Sequence, residues 1–465
     1  MGSGPSYFFR VLLLSTDFLL FNLSYFAGGL IAFDAGFPVF HYLTAANILI
    51  FNVSWLICAS LFRLYRPSHS NPLEEIYRST IKALLLHFIV ITAVILFYFP
   101  YQSSLKTILL EYGILGFAFT ISRLMLTYMI DFISTTINFK KKIAIVGYNE
   151  RAKELAHYFR EHKSFYSFEG FFDEGTNFTV NDEGDIVSPI KNMIPFAVQN
   201  NVREIYSTIL PDDLWASNKH IIEKASSHFV RVKFVPQPGK KLTATLHHTG
   251  YIKNMPVLSL RAEPLQHYRN RVKKRIFDIV ISSVVVICIL SWLTPLLGII
   301  IKFQSKGPVF FKQLRSGKDN VSFWCYKFRS MYENKHADQI QASKNDDRVT
   351  PIGRFIRRTS IDEFPQFFNV LLGNMSLVGP RPHMLQHTRE YSAIIDEYMI
   401  RHFSKPGITG WAQVNGCRGE TETKELMVAR VEYDLWYMEN WSLMLDLRIV
   451  FRTIINLLKR DENAF

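Results

Sequence analysis

The chain is 465 residues long, with 48% hydrophobic and 20% charged residues, 39 phenylalanines and a formal net charge of +13. The length excludes a single ordinary domain and suggests about three, and the hydrophobic content favours a membrane protein that carries a soluble portion. The positive charge favours an anionic partner, and a membrane surface, a phosphorylated ligand and nucleic acid would each satisfy it.

The four cysteines are scattered, with no CxxC pair and no histidine nearby at metal-ligand spacing. This excludes a disulfide framework or a zinc site of the usual kind. We expect all four to be reduced or packing residues of a cytoplasm-facing protein. They are Cys58, Cys288, Cys325 and Cys417.

Four apolar segments in residues 1–138 predict an N-terminal four-helix transmembrane bundle. Each is close to the roughly 20 residues that a helix needs to cross the hydrocarbon core. The loop DAGFPVFHY has no Lys or Arg, whereas RLYRPSHSNPLEEIYRSTIK and the exit NFKKK have several, which places both termini in the cytoplasm. The segments are about residues 8–33, 42–62, 81–99 and 109–132.

Two ionisable residues, Asp17 and Arg123, lie inside the first and fourth apolar segments. Because charges inside a membrane are costly, such residues serve either as a relay or ligand site or as partners of one another. We expect an interhelical ion pair that holds the first and fourth helices together.

Residues 139–251 alternate between strand and helix patterns. An apolar strand at 143–146 runs into Gly147 and an amphipathic helix, and EGFFDE, REIYSTIL and VRVKFVPQ are further strand candidates. A dinucleotide site would need GxGxxG at the first turn, and only Gly147 is present. The pattern predicts a degenerate Rossmann-like α/β domain with a structural or regulatory role, and ligand binding is the alternative.

The third part, residues 252–465, begins with a basic cluster and about 25 apolar residues interrupted by Thr294 and Pro295. A straight spanning helix would carry everything after Lys302 across the membrane, away from nucleotide-activated substrates. Proline removes a backbone donor and kinks a helix. With basic residues at both ends, the pattern favours a re-entrant helix at about residues 273–302.

An acidic pair, Asp362 and Glu363, follows a run of arginines. Its sequence formally fits a helix cap, but Pro365 is most comfortable at the start of a helix. We therefore expect a helix from Pro365 to Gly373, with both carboxylates in the turn before it. Surface salt bridges to Arg357 and Arg358 are the alternative.

A carboxylate in such a turn can coordinate Mg²⁺ or attack phosphorus. Attack on a diphosphate needs cations to neutralise the phosphoryl oxygens, and Arg357, Arg381 and a metal would supply them. We expect no nucleic-acid partner, because the basic residues stand singly among aromatic and Pro-Gly elements in a membrane-tied chain.

Over about residues 273–457 the chain resembles the bacterial sugar transferases, the monotopic phosphoglycosyl transferases. The resemblance lies in YKFRSM, RRTSIDEFPQFFNVLLGNMSLVGPRP, KPGITGWAQVNG and EYDLWYMENWSLMLDLRIV, in that order. The N-terminal helices and Rossmann-like module are similar to the long polyprenyl-phosphate hexose-1-phosphate transferase subgroup. GWAQVNGCRGET resembles undecaprenyl-phosphate glucose phosphotransferases. The membrane break of the family is often Ser-Pro, whereas here it is Thr294-Pro295.

The resemblance implies a multidomain membrane protein whose C-terminal domain is catalytic and mostly α-helical. It implies that Asp362 is the nucleophile and touches Mg²⁺, the cofactor, with Glu363 as its partner in a catalytic dyad. The implied phosphate, substrate and nucleotide contacts are Arg357, Arg381, Lys327, Arg329, Pro406, Gly407 and Gln413.

The implied reaction transfers hexose 1-phosphate from a UDP-sugar to undecaprenyl phosphate, with release of UMP and a covalent aspartyl-phosphosugar intermediate. It would initiate capsule, exopolysaccharide or O-antigen assembly. We expect glucose, with galactose or an N-acetylhexosamine as alternatives. The enzyme would be a multi-pass protein of the bacterial inner membrane, in contact with membrane lipid, with its catalytic domain on the cytoplasmic face.

Two other functions fit the sequence less well. A nucleotide-sugar dehydratase or epimerase would need an intact glycine loop and a YxxxK pair, and the sequence has neither. A membrane-anchored ligand sensor or scaffold with an inert terminal domain is disfavoured by the acidic pair and the arginines. We expect a homodimer, because the middle domain has no evident catalytic duty.

Overall fold

The structure is a computed structural model that describes residues 4–34, 44–65, 72–98, 105–136, 140–163, 165–175, 179–180, 185–212, 221–239, 246–332, 346–395, 397–417 and 423–458. Four sequence features fall at least partly outside these ranges: the loop DAGFPVFHY, the basic loop after the second apolar segment, the exit NFKKK and the end of GWAQVNGCRGET.

The chain forms two compact units. The first comprises Met1–Lys141, Tyr158–Ser167 and Ile252–Asn254, and the second comprises Lys142–His157, Phe168–Tyr251 and Met255–Phe465. The middle and C-terminal parts, which the sequence suggested as separate domains, therefore belong to one compact unit.

Four apolar helices build the first unit. Their shared core contains Phe21, Phe51, Trp55 and Phe119, with the rings of Phe21 and Trp55 stacked at 4.8 Å. Large apolar side chains also point outward, as expected of a surface in contact with lipid. The helices are α1 (Gly4–Asp34), α2 (Ala45–Leu61), α3 (Pro72–Tyr98) and α4 (Leu105–Thr136).

Parts of α3 and α4, Glu74–Ile95 and Ile108–Met129, are long and apolar enough to cross a membrane. The apolar stretches of α1 and α2, Leu12–Gly28 and Ala46–Leu61, are shorter. The four helices coincide with the four apolar segments of the sequence.

The ion pair expected between α1 and α4 is confirmed. The Arg123 guanidinium donates to both carboxylate oxygens of Asp17, at 2.7 and 2.9 Å, and both side chains are buried. Tyr65 also donates to Asp17 at 3.0 Å, and Arg123 Nε donates to Thr80 at 3.1 Å. Hydrogen bonds on several sides offset the cost of burying the two charges.

An eight-stranded sheet, most of whose residues belong to the second unit, has strand order β3-β4-β2-β1-β5-β6-β8-β7. The strands β1, β5 and β6 pair in parallel, as do β2 and β4, while β3 and β8 join antiparallel. The strands are β1 (Lys141–Val146), β2 (Tyr166–Asp173), β3 (Thr179–Val180), β4 (Ile186–Pro189), β5 (Glu204–Ser207), β6 (Arg231–Phe234), β7 (His247–Ile252) and β8 (Met255–Ser259). The helices are α5 (Glu150–Glu161), α6 (Met193–Gln199) and α7 (Ile221–Ser227).

The four strands predicted from the sequence are confirmed as β1, β2, β5 and β6. The sheet extends past the expected boundary after residue 251. This boundary falls inside the β7–β8 hairpin, whose second strand pairs with β6 through Leu258 and Phe234. The prediction ended at the last parallel strand, and the sheet continues to Ser259.

The first turn of this sheet is filled by the protein's own side chains. Asn149 caps α5 by accepting a hydrogen bond from Ala152 N–H at 3.0 Å, and it donates to Thr208 at 2.8 Å. Gly147 has φ +91°, and a Cβ there would lie 2.5 Å from Thr208 Oγ1. Polar side chains thus occupy the position at which a glycine-rich loop would cradle a diphosphate.

A continuous helical run of 37 residues, Tyr268–Gln304, opens the C-terminal part. It consists of α8 (Tyr268–Val285), a π turn (Val286–Leu290) and α9 (Ser291–Gln304). Pro295 stands inside α9, and the helical conformation continues through it. The irregular part of the run is the π turn, which comes before the predicted break at Thr294 and Pro295. Re-entry into a membrane remains a prediction.

The two faces of this run differ. Both of its halves contribute buried side chains, among them Lys274 and Asp278 from α8 and Leu293 and Leu297 from α9. The opposite face exposes an apolar stripe that runs through both helices: Ile276, Val280, Ile287, Trp292, Ile299 and Phe303.

Short helices and two-stranded sheets complete the C-terminal part, which agrees with the expected mostly α-helical domain. The pair β9–β10 is antiparallel, and β11–β12 is parallel. The elements are β9 (Phe310–Ser316), β10 (Ser322–Phe328), α10 (Pro351–Arg358), α11 (Gln366–Leu372), β11 (Ser376–Val378), α12 (Leu385–Ser392), β12 (Gly407–Thr409), α13 (Trp411–Val414), α14 (Lys424–Glu439) and α15 (Leu443–Leu458). All four cysteines are free thiols.

Candidate active site

The acidic pair lies in a tight connection between α10 and α11. The backbone adopts a left-handed conformation at Ser360 and then forms a single 3-10 turn, Ile361–Glu363. Pro365 caps the start of α11, and Gly373, with φ +90°, ends it. The helix predicted between these two residues is confirmed, and the carboxylates stand in the turn before it.

The Glu363 carboxylate forms ion pairs with two basic side chains. Lys327 Nζ donates to Glu363 Oε1 at 2.7 Å, and Arg381 donates to Oε1 at 2.8 Å and to Oε2 at 3.3 Å. Although burial opposes ionisation, Arg381 and Lys327 hold the pKa of Glu363 well below its usual range. Glu363 is therefore an anion that fixes two basic side chains. Salt bridges to Arg357 and Arg358, the alternative for the pair, are not what the structure shows.

Asp362 is in a different state from its neighbour. It is 8% exposed, and no side chain in the described part of the chain donates a hydrogen bond to its carboxylate. Burial, with the negative charge of Glu363, raises the pKa of Asp362 to about 6, against the influence of Lys327, Arg357 and Arg381. Its oxygens remain available to a substrate or a metal.

Arg357 lies in the last turn of α10, and its positive charge lowers the pKa of Asp362. It is half-buried, and it forms no hydrogen bond or ion pair with any described residue. Arg357 can therefore bind a phosphate group beside Asp362 without giving up a partner.

Arg381 is positioned by a buried network behind the Gly-Pro-Arg-Pro loop. Arg401 donates to the Arg381 carbonyl at 3.0 Å and to Asp434 Oδ2 at 2.6 and 3.1 Å. It also donates to the ring of His383 at 2.8 Å, so that ring nitrogen must be unprotonated. Burial and the charge of Arg401 hold the pKa of His383 well below its usual range.

Arg329 does not line the site, contrary to the sequence prediction. Its guanidinium donates to the carbonyls of Ser305 and Lys306 at 2.8 and 2.7 Å, at the end of α9. Two residues apart on a strand, Lys327 and Arg329 would share a face. The Arg329 N–H still donates to the Val309 carbonyl at 2.9 Å, in register with the β9–β10 pair, but its guanidinium is held by the carbonyls at the end of α9.

Asn369, on α11, joins this helix to β10. Its Oδ1 accepts from Tyr326 N–H at 2.9 Å, and its Nδ2 donates to the Trp324 carbonyl at 2.7 Å. Asn369 is fully buried. The two bonds hold β10 where Lys327, the next residue along, meets Glu363.

Pro406 and Gly407 lie against the Gly-Pro-Arg-Pro loop and are buried. Gly407 N–H donates to the Pro380 carbonyl at 2.9 Å, and a Cβ on Gly407 would lie 2.1 Å from Gly379 N. Pro406 and Gly407 therefore support the loop that carries Arg381. The expected nucleotide contact would have required them on an open surface. Gln413 lies on α13, and its buried Oε1 has no hydrogen-bond partner among the described residues.

The start of the long helical run is attached to the same elements. Arg275, on α8, donates to the carbonyls of Val370 and Leu371 at 2.6 and 2.7 Å, which caps the C-terminal end of α11. With Arg329 at the end of α9, each end of the run is tied by an arginine to an element that carries the site.

Sequence reasoning did not find Asn369, Arg401, His383 or Asp434, or the role of Arg275. Each is a single polar residue in an apolar or mixed segment. Asp434 lay within EYDLWYMENW, but its partner Arg401 is 33 residues away. A local pattern holds no signal for such pairs.

A magnesium ion fits the donor set near Asp362. Among the described residues, no group of three or more His, Cys, Asp or Glu side chains is arranged to hold a metal ion. Mg²⁺, however, is usually bound through one or two carboxylates, water and substrate phosphates. The uncommitted Asp362 carboxylate suits that mode.

Comparisons with known proteins agree with this arrangement. The family described as bacterial sugar transferase matches residues 269–460, and that described as CoA-binding domain matches residues 60–236. A UDP-glucose:undecaprenyl-phosphate glucose-1-phosphate transferase of Klebsiella pneumoniae is 36% identical over 375 residues, 79% of each chain. One of Escherichia coli K12 is 48% identical over 204 residues, 44% of each chain. A UDP-N-acetylgalactosamine-undecaprenyl-phosphate N-acetylgalactosaminephosphotransferase of Aeromonas hydrophila is 36% identical over 55% of this chain and 58% of its own.

Proposed function

The chain belongs to the bacterial sugar transferase family, and from this premise we propose that it transfers hexose 1-phosphate from a UDP-sugar to undecaprenyl phosphate and releases UMP. The reaction initiates polysaccharide assembly. The names of the relatives support the reaction class. Within this chain, the supporting observation is the pairing of an uncommitted carboxylate, Asp362, with a cation-bound one, Glu363.

The reaction proceeds by two displacements at the sugar-proximal phosphorus. An Asp362 oxygen forms a bond to this phosphorus, the bond to the bridging oxygen breaks, and UMP leaves with the electron pair. A phosphate oxygen of undecaprenyl phosphate then attacks the same phosphorus and releases the Asp362 carboxylate. The product is the diphosphate-linked lipid, and ping-pong kinetics are expected.

The basic residues make the attack of one anion on another possible. Arg357 and Arg381 face the acidic pair and neutralise phosphoryl oxygens as charge develops. Asp362 would also hold Mg²⁺, which would supply further neutralisation of the phosphoryl oxygens. Glu363 holds Arg381 and Lys327 in position. It is a poor general base, because its pKa lies well below the usual range.

The long helical run fits a segment that enters the membrane from the cytoplasmic face without crossing it. A crossing helix would project away from the catalytic part. Here both α8 and α9 bury side chains within the same compact unit and expose one apolar stripe. The apolar helices α1–α4 fit a transmembrane bundle. We place the protein in the bacterial inner membrane, with the catalytic part on its cytoplasmic side, and infer a homodimer.

Glucose is the proposed sugar, because the GWAQVNGCRGET motif resembles that of glucose phosphotransferases and the names of two relatives specify UDP-glucose. The Aeromonas relative acts on an N-acetylhexosamine by its name, so the alternatives need a direct comparison. The test is UMP release by the full chain with undecaprenyl phosphate, Mg²⁺ and a panel of UDP-sugars. UDP-glucose should give the fastest release, and no release with any sugar would refute the function.

A further inference from the structure

A second group of cations lies at the end of α11 that is remote from Asp362. Arg275 Nη2 and Lys405 Nζ lie 3.6 and 3.7 Å from the position that a Cβ on Gly373 would occupy. Gly373 has no side chain to fill this space, and its φ of +90° favours glycine. The two cationic groups therefore converge over a bare stretch of backbone.

Lys318 and Arg271 extend this group. The 3-10 turn Lys318–Asn320 packs against the 3-10 helix Tyr398–Phe403, which leads into Lys405. Burial, with the positive charges of Arg275 and Lys318, lowers the pKa of Lys405. Burial lowers the pKa of Lys318 as well, and the charge of Arg271 adds to the shift. The charges of Arg275 and Lys318 thus act on Lys405, and that of Arg271 acts on Lys318; these four residues are here called the cationic cluster.

Of the nearby carboxylates, Asp319 stands next to Lys318 and raises its pKa, while Asp278 and Glu263 are engaged elsewhere. Asp278 accepts hydrogen bonds from Ser376 Oγ at 2.8 Å and from Leu377 N–H at 3.0 Å. Glu263 pairs with Arg231 at 3.2 Å. Within the described ranges, neither Lys318 nor Lys405 has a carboxylate oxygen within 4.0 Å of its amine. Converging like charges without a close counter-ion favour an anionic ligand.

The position of the cluster indicates where that anion comes from. Arg275 directly precedes Ile276, the first residue of the exposed apolar stripe on α8 and α9, and Arg271 lies one helical turn earlier. With that stripe in the membrane, as proposed above, the cluster stands at the level of the lipid headgroups.

We propose that Arg271, Arg275, Lys318 and Lys405 bind the phosphate group of a membrane lipid, at a site separate from Asp362. The proposal rests on the membrane placement of α8 and α9 and not on the transfer reaction. An anionic phospholipid and undecaprenyl phosphate both carry this chemistry. Lys amines supply charge, and Arg271 supplies a planar donor set, since Arg275 already caps α11.

The test is lipid retention by the full-length protein in uncharged detergent, measured by native mass spectrometry. Phosphatidylglycerol and undecaprenyl phosphate are titrated separately, and both proteins carry Asp362→Asn so that no turnover intervenes. K318A/K405A should lower the affinity for one tightly held lipid molecule by roughly 10- to 30-fold. The lipid whose affinity falls in this variant is the one that the site binds. Lys224→Ala, an exposed lysine on α7, is the matched control and should retain lipid normally.

Two results would overturn the proposal. One is equal retention of both lipids by K318A/K405A and by its parent. The other is displacement of the lipid by millimolar inorganic phosphate, which would show that the site binds free phosphate. Arg271→Gln, on an exposed side chain, should weaken retention in the same direction and guards against a folding defect in the double variant. Because retention is measured without turnover, failure of the proposed reaction would leave this result unaffected.

Discussion

Asn369 pairs with the backbone of Tyr326 as a neighbouring strand would, because its amide accepts from one peptide group of β10 and donates to another. Asn369→Asp keeps the acceptor but sets a carboxylate against the Trp324 carbonyl in a buried site. We expect the free energy of unfolding to fall by about 3 kcal/mol, and kcat to fall because Lys327 loses its register with Glu363. Denaturant unfolding and steady-state kinetics measure the two effects.

The control for this variant is Asn440→Asp, at an exposed amide that bonds only the Trp436 carbonyl among the described residues. It should change both quantities little. A normal kcat for Asn369→Asp would show that Asn369 has no part in placing Lys327.

Removing the proposed nucleophile should stabilise the fold at neutral pH. Burial raises the pKa of Asp362 from 3.8 to about 6, so the folded state favours the neutral acid. The resulting stability is present below about pH 4 and is lost as pH rises through about 6. At pH 7.5, Asp362→Asn should gain up to about 3 kcal/mol while losing turnover and covalent labelling by radioactive sugar phosphate.

The same measurement at pH 4.5 is the internal control, since Asp362 is then largely neutral in the folded state and the gain should shrink. Equal stability of wild type and Asp362→Asn at both pH values would contradict the raised pKa. Undiminished labelling would remove the nucleophile assignment.

The acid limb of the pH profile should depend on Glu363. In the wild type, kcat/KM of the free enzyme should decline below about pH 6, as Asp362 becomes protonated. Glu363→Gln removes a negative charge that raises this pKa and frees Lys327 and Arg381 to act on Asp362. The limb should therefore move to lower pH even though the maximal rate falls. A limb that stays in place would argue that another group titrates.

Arg401 should act on the reaction through Arg381. Arg401→Lys keeps a positive charge beside Asp434 but cannot reproduce the bonds to the Arg381 carbonyl and the ring of His383. We expect kcat/KM for the UDP-sugar to fall about 10- to 100-fold. The same change at the exposed Arg389 should leave it unaltered. Normal kinetics in Arg401→Lys would mean that the loop holds Arg381 without this support.

Substitutions of Lys327 and Arg329 should have different effects, on kcat/KM in the first case and on stability in the second. Lys327→Gln removes a cation that contacts Glu363, so kcat/KM should drop by about tenfold. Arg329→Gln removes donors from two carbonyls at the end of α9 and should cost about 1–3 kcal/mol of unfolding free energy, with KM for the UDP-sugar unchanged. A raised KM with unchanged stability in Arg329→Gln would restore the original assignment of this residue to the substrate site.

Features that depend on nearby residues were predictable from the sequence. Pro365 and Gly373 mark both ends of α11, because the proline ring fixes φ and glycine, which lacks a Cβ, readily adopts the positive φ at the helix end. Asp17 and Arg123 stand out for a different reason, since a lone charge in an apolar helix needs a partner.

The remaining features depend on distant residues. Arg329 was misplaced because its guanidinium binds two backbone carbonyls at the end of α9, which no alternation pattern reveals. Asn369 and Arg401 find their partners across the fold, 43 and 33 residues away. The β7–β8 hairpin was missed because it adds antiparallel strands after a parallel series.

The contact between Gly379 and Gly407 constrains how this enzyme can be recombined with its relatives. A Cβ on Gly379 would lie 2.4 Å from the Lys405 carbonyl, and one on Gly407 would lie 2.1 Å from Gly379 N. The Gly-Pro-Arg-Pro loop and the PGITGWAQ segment are thus two halves of a backbone crossing with no side chain between them. In chimaeras built to change sugar preference, both segments should therefore be taken from the same parent protein.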